Sequence, residues 1–309
     1  MNDFAPISKR RQKKLQLDEF AEYRKRERAY YYQKGDSIKG LLKCKIWHYI
    51  LLGVLKVLRM SKHQKLHILA DRRVHKKEPV IYACTHIEYD DAAITFEALK
   101  SSCWLFWGNP KEDYRTLNGW MAEKNGVIFI DTYDKEDRKI AKETAIQLLN
   151  KGGSLLIYPE GAWNLTDALP VMKLYTGTVN MAVSVGVDVI PIAIDRYGKD
   201  FYVNIGRNIS YVNRSGNVKE LTEELRDVLA TLKWEIWEHT GAVSRNSIPS
   251  NFHENFAKDI LAEAGGLYTM KMLEDERYHD KDNPDYQTVF AFMKTLPWKK
   301  ETAFLFRRH

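Results

Sequence analysis

Between Glu78 and Arg207 short apolar runs alternate with longer amphipathic ones, and this alternation restricts the chain more than any other feature. Short runs rich in β-branched residues fit buried strands, and helices between successive strands are the crossovers that parallel pairing requires. Strands are predicted at Val80–Cys84, Cys103–Trp107, Val127–Asp131, Ser154–Tyr158, Val187–Ile194 and Tyr202–Ile205. Helices are predicted over Ala92–Lys100, Lys135–Asn150 and Lys173–Val185, the last two stopping before Gly152-Gly153 and Gly186, as helix ends favour. The expected fold is α/β, a mostly parallel sheet flanked by helices. Pro191 has no N–H to give to a ladder, which predicts an edge or a bulge in its strand. Val218 to His239 sets Leu221, Leu225, Val228, Leu229, Leu232 and Ile236 on one stripe, as a core-facing helix does.

The flanks differ in kind. Residues 1–45 hold 13 Lys/Arg against 6 Asp/Glu, which accounts for the whole formal charge of +7. They read as a basic helical arm whose charges are mostly solvated. Residues 46–59 are too short to span a bilayer, yet apolar and basic at both ends. An interfacial helix and a core helix fit them equally well. Beyond Gly241 helical stretches are predicted at Phe252–Ala264 and Tyr286–Leu296, with no chemistry evident. The expected organisation is therefore residues 1–60 as arm and amphipathic helix, 61–240 as the α/β domain, and 241–309 as a C-terminal helical extension.

The basic balance, with a sequence pI near 9.0, favours an anionic partner, an anionic membrane surface among the candidates. Nucleic acid is not expected, because the excess is confined to the arm and no stacking motif accompanies it. Cys44, Cys84 and Cys103 are scattered and odd in number, which argues for a reducing cytoplasm without disulfides or a zinc site. No signal peptide or spanning helix is legible.

Four stretches carry chemistry. His86 leaves the end of the first strand, where open α/β sheets place ligands, and Asp91 follows five residues later at an acidic helix start. One turn then lets the carboxylate orient the imidazole as a general base. SLLIYPEGAWNL, Ser154 to Leu165, puts Glu160 and Gly161 at the same sheet edge. GVIFID, Gly126 to Asp131, is a strand ending in an acid, and Val189 to Ile194 is a strand containing Pro191.

In this order and spacing the four stretches resemble the glycerolipid acyltransferase family, which includes the lysophosphatidic acid acyltransferases. His86 and Asp91 match its His, four residues, Asp motif. Gly126, Phe129, Ile130 and Asp131 match the second motif, with Thr132 where an Arg belongs. Pro159, Glu160 and Gly161 match the third, with Tyr158 for Phe, Ala162 for Thr and Trp163 for Arg, and Val189 to Ile192 match the fourth. The resemblance covers about residues 78–195. It implies transfer of an acyl group from acyl-CoA or acyl carrier protein to a hydroxyl, with His86 as base, Asp91 orienting it, and no metal or bound cofactor. Glu160 and Gly161 are then expected to line the acceptor side, with Trp163, Asp131, Thr132 and Lys173 as further binding residues.

The family's two motif arginines are taken to hold an acceptor phosphate, and a bidentate cation is replaced by neither Thr132 nor Trp163. The expected acceptor is therefore not glycerol 3-phosphate itself but a lysophospholipid or a neutral, sugar-like hydroxyl stacking on Trp163, with Lys173 and Arg138 as substitute charges. The implied location is cytoplasmic, peripheral to the inner face of the membrane. A serine hydrolase finds no G-x-S-x-G elbow here. The rival from another class is a lipid- or anion-binding membrane protein on an inactive acyltransferase scaffold.

Overall fold

The computed structural model describes residues 4–74, 79–166, 169–214, 216–241, 247 and 249–278. A seven-stranded sheet organises them, in the order β1-β7-β6-β2-β5-β3-β4. These strands are β1 (Lys65–Asp71), β2 (Val80–Cys84), β3 (Trp104–Gly108), β4 (Val127–Ile130), β5 (Leu155–Ile157), β6 (Asp188–Tyr197) and β7 (Asp200–Ile205). Strands β6, β2, β5, β3 and β4 pair in parallel, β7 runs antiparallel to β6, and β1 pairs in parallel with β7. The expected mostly parallel sheet is present, and helices cover both of its faces.

Alternation along the strands divides the core. Ile81 and Ala83 of β2 face one layer, with α6 (Lys135–Asn150), α7 (Gly177–Val185) and α8 (Val218–Thr240). Val80, Tyr82 and Cys84 face the other, with α4 (Asp91–Leu99). All five β2 residues are buried, which is why the strand reads as one continuous apolar run.

Three departures have physical causes. β1 was not predicted: it is an edge strand whose residues are half-buried or exposed, so its apolar signal is diluted. Helix α5 (Leu117–Asn125) was also missed, being short, with an internal glycine, and held at its start by the Thr116 hydroxyl accepting from Gly119 N–H. Pro191 lies in β6, which is flanked by β2 and β7 and is not an edge, and β6 runs without a bulge past it. The Pro191 carbonyl accepts from Gly206 N–H, just beyond the end of β7, and the next contact on that side is the isolated bridge between Val189 and Ile209. The missing donor thus falls where the neighbouring chain turns away from the ladder.

The arm differs from its expectation too. Its helix α2 (Leu17–Gln33) is docked, not solvated: Arg28 donates to both oxygens of buried Asp137 at 3.0 and 2.6 Å, and Lys25 pairs with Asp134 at 3.1 Å. Residues 46–59 fall within α3 (Leu41–Ser61), which has a buried side and an exposed apolar side. His48 and Leu51 are buried, while Leu42, Ile46 and Val57 on the other side are 72, 56 and 66 % exposed. Among the described residues no helix is long and apolar enough to cross a membrane. Helix α9 (Phe252–Glu263) matches its prediction, α10 (Met270–Glu276) was not foreseen, and Tyr286–Leu296 lies outside the described residues.

Candidate active site

Strand β2 ends at Cys84, and the chain turns through Thr85 and His86 into α4, whose first residue is Asp91. Asp91 is fully buried, and its Oδ2 accepts from His86 Nδ1 at 2.9 Å and from the backbone N–H groups of Ile87 at 2.6 Å and Glu88 at 3.0 Å. The carboxylate therefore folds the intervening loop around itself while orienting the ring. A carboxylate accepts, so the pairing suits the tautomer with its hydrogen on Nδ1, the one that would leave Nε2 able to accept a proton. The imidazole lies on Tyr158, centroids 4.2 Å apart and planes at 24°, with the Trp163 ring edge-on at 6.1 Å.

Glu160 does not line the acceptor side as expected. It is completely buried, and its two oxygens are taken by backbone donors, His86 N–H at 2.9 Å on Oε1 and Met172 N–H at 2.7 Å on Oε2. Burial raises its pKa above the ordinary carboxyl value, against those two donors, Lys233 and His86, which lower it. The His86 carbonyl accepts from Asn164 N–H at 2.7 Å. The loop after β5 therefore grips both backbone groups of the histidine.

Beside His86 lies a cavity of about 540 Å³, walled by apolar side chains including Leu105, Phe106, Ile157 and Met181. That volume and lining suit a small-molecule site. Gly161 lines it with φ +79°, and a Cβ there would stand 2.4 Å from the Tyr175 ring, so its glycine serves chain packing. Thr132 and Arg138 also line it. Asp131 does not: its Oδ1 accepts from Tyr133 N–H and its Oδ2 faces Lys25 at 3.8 Å. Lys173 is likewise off the wall, its Nζ 5.6 Å from the centre of the Tyr278 ring. Trp163 borders the cavity but is only 5 % exposed, with Tyr268 at 4.7 Å. It is a wall with no open face for a sugar to stack on.

Several wall residues escaped sequence reasoning. Tyr158 was visible only as a stand-in for a motif Phe, and Lys142 as one lysine among many. Tyr268, Leu273 and Glu276 roof the cavity from the segment after Gly241, whose sequence carries no motif. Arg196 ties that roof to the histidine loop, pairing with Glu88 at 2.5 Å and with Glu263 of α9. Burial and the Asp91 charge push the Glu88 carboxyl up to about 8, against the pull of Arg196. Cys84 is fully buried, and burial first, then Asp91, raises its thiol pKa well above normal, as in an unreactive thiol.

An acyltransferase family model matches residues 65–195, which contain His86, Asp91 and all four motif stretches. A lyso-ornithine lipid O-acyltransferase of Pseudomonas aeruginosa is 31 % identical over 126 residues, 40 % of this chain and 45 % of that relative. The chain thus spans less than half the length of this curated relative. A crystal structure of the 1-acyl-sn-glycerophosphate acyltransferase PlsC from Thermotoga maritima has the same fold, with a TM-score of 0.50 over 69 % of this chain and 82 % of that one at 15 % identity. Over residues 65–195 the chain is thus similar to the acyltransferase family, and its fold is that of the PlsC structure.

Proposed function

We propose that this chain is an O-acyltransferase that moves a fatty acyl group from an acyl thioester, acyl-CoA or acyl carrier protein, to the hydroxyl of a lysophospholipid or related lysolipid. The observation that carries this reading is the 2.9 Å bond between His86 Nδ1 and Asp91 Oδ2 at the wall of an apolar cavity. The family and the names of the two relatives support it.

The step balances on one histidine. Nε2 takes the proton of the acceptor hydroxyl as that oxygen bonds to the thioester carbonyl carbon, whose oxygen becomes an oxyanion. Collapse of this intermediate breaks the carbon–sulfur bond, and the leaving thiolate recovers the proton from Nε2. Asp91 keeps the ring in the required tautomer and stabilises the imidazolium between the two transfers. The apolar wall offers the acyl chain its place.

A membrane surface is the proposed working location, on the inner, cytoplasmic face. The support is α3, where Leu42, Ile46, Tyr49, Ile50, Val57 and Met60 are exposed along one helix beside the exposed Lys43, Lys45 and Lys56.

The test is acceptor-dependent release of thiol from acyl-CoA and from acyl carrier protein across lysophosphatidic acid, other lysophospholipids, lyso-ornithine lipid and glycolipids. Thiol release and a new acyl lipid with one acceptor, lost in His86→Ala, are expected. No acyl product with any pair, or an active His86→Ala, overturns the reading in favour of an inactive lipid-binding scaffold.

A further inference from the structure

The cavity beside His86 carries charges of both signs that the protein itself does not pair. Arg138 and Lys142 sit one turn apart on α6 and both line the cavity. Arg138 donates to the Thr132 carbonyl at 2.5 Å, and neither cation forms an ion pair with a described residue. Glu276 reaches the same cavity from α10; its Oε1 accepts from Asn109 Nδ2 at 2.7 Å, and no described Lys or Arg pairs with it.

Thr132 is bonded on both sides. Its carbonyl takes Arg138, and its hydroxyl exchanges hydrogen bonds with the same Asn109 side chain that holds Glu276, at 2.7 and 2.9 Å. Glu276 and Lys142 are half-buried while Arg138 is exposed, and the bonds that Glu276 and Arg138 make go to neutral partners, the Asn109 amide and the Thr132 carbonyl. Burial raises the Glu276 carboxyl above its usual range, and a bound cation would pull it back down. The neighbouring charges behave otherwise: Arg196 pairs with both Glu88 and Glu263, and Lys62 pairs with Asp90.

We infer that this cavity takes the zwitterionic headgroup of an amine-bearing lysolipid, with Arg138 and Lys142 on its phosphate or carboxylate and Glu276 on its ammonium. The inference rests on the acyltransferase reading for its acceptor and adds the headgroup class. Glu276 lies outside residues 65–195, so the cation-binding half belongs to this chain's C-terminal extension and not to the family domain.

Binding is tested without turnover, by calorimetry on full-length His86→Ala protein with short-chain lysolipids below their micelle concentrations. The acceptors are lysophosphatidylethanolamine, lyso-ornithine lipid, lysophosphatidic acid and monoacylglycerol of one chain length. Either zwitterion should bind at least about tenfold more tightly than lysophosphatidic acid or monoacylglycerol, the scale of one charge-assisted hydrogen bond. Adding Glu276→Gln, which keeps an acceptor for Asn109, should erase the preference over lysophosphatidic acid. Adding Lys142→Gln instead should weaken both zwitterions, and whichever of them wild-type chemistry prefers separates phosphate from carboxylate. Equal binding of zwitterion and anion, or a preference unmoved by Glu276→Gln at unchanged thermal stability, overturns the inference. Because binding is read on inactive protein, a zwitterion preference without acyl transfer in the wild type would refute the catalytic reading while leaving the headgroup assignment standing.

Discussion

The Glu160 carboxylate holds His86 by its backbone and not by its ring: Oε1 accepts the His86 N–H at 2.9 Å, while Asp91 alone takes Nδ1. Two buried carboxylates thus divide the work, one fixing where the histidine sits and the other how its ring is turned. The second oxygen of Glu160 extends the grip to Met172, so the loops after β2 and β5 share one anchor.

Glu160→Ala should therefore reduce stability as well as activity. It strands two buried backbone donors, each costing about 1–3 kcal/mol. Chemical denaturation should show a loss of that order, together with a large loss of acyl transfer. Loss of activity with unchanged stability would mean that Glu160 acts on substrate after all.

The exposed face of α3 predicts membrane residence. Ile46→Glu with Val57→Glu places charge on two side chains that are more than half exposed, so folding should be little affected. Co-sedimentation with anionic vesicles should fall severalfold, and activity on a soluble short-chain acceptor should persist. Undiminished sedimentation would remove α3 from the interface.

Glu88 gives the fold a pH signature. Its folded pKa, about 8, lies above the ordinary 4.5, so the native state binds the proton more tightly than the unfolded chain does. The native state is favoured most below 4.5, and that contribution is lost as pH rises through the window to about 8. Glu88→Gln cannot ionise, so its melting temperature relative to wild type should rise between pH 5 and pH 8. A difference that stays flat, or runs the other way, would show that Arg196 holds Glu88 ionised throughout.

Local patterns made much of this legible in the sequence. β2 and α6 fall where their apolar runs and flanking glycines put them, and His86 and Asp91 meet because a short loop and a helix start leave them little choice. What stayed hidden depends on long-range packing. Glu160 stands in its motif, but only the fold reveals that both of its oxygens face backbone donors. Trp163 offers a stacking ring in sequence, and Tyr268, more than a hundred residues away, closes over it. Glu276 sits in an unpatterned polar stretch, so only the docking of α10 brings it to the cavity. The arm's basic run looks solvated until Asp137, buried on α6, takes Arg28.

The most direct test of the central claim is single-turnover transfer of a labelled acyl group from acyl-CoA or acyl carrier protein to a lysolipid, comparing wild type, His86→Ala and Asp91→Asn at equal folded concentration. The account predicts transfer by the wild type and a fall of about 10²–10⁴-fold in His86→Ala, the usual contribution of a general base. Asp91→Asn should also lose most of the rate, because an amide nitrogen facing Nδ1 favours the wrong tautomer. Wild-type rates in folded His86→Ala would contradict it, since no proton acceptor would then be needed at that position.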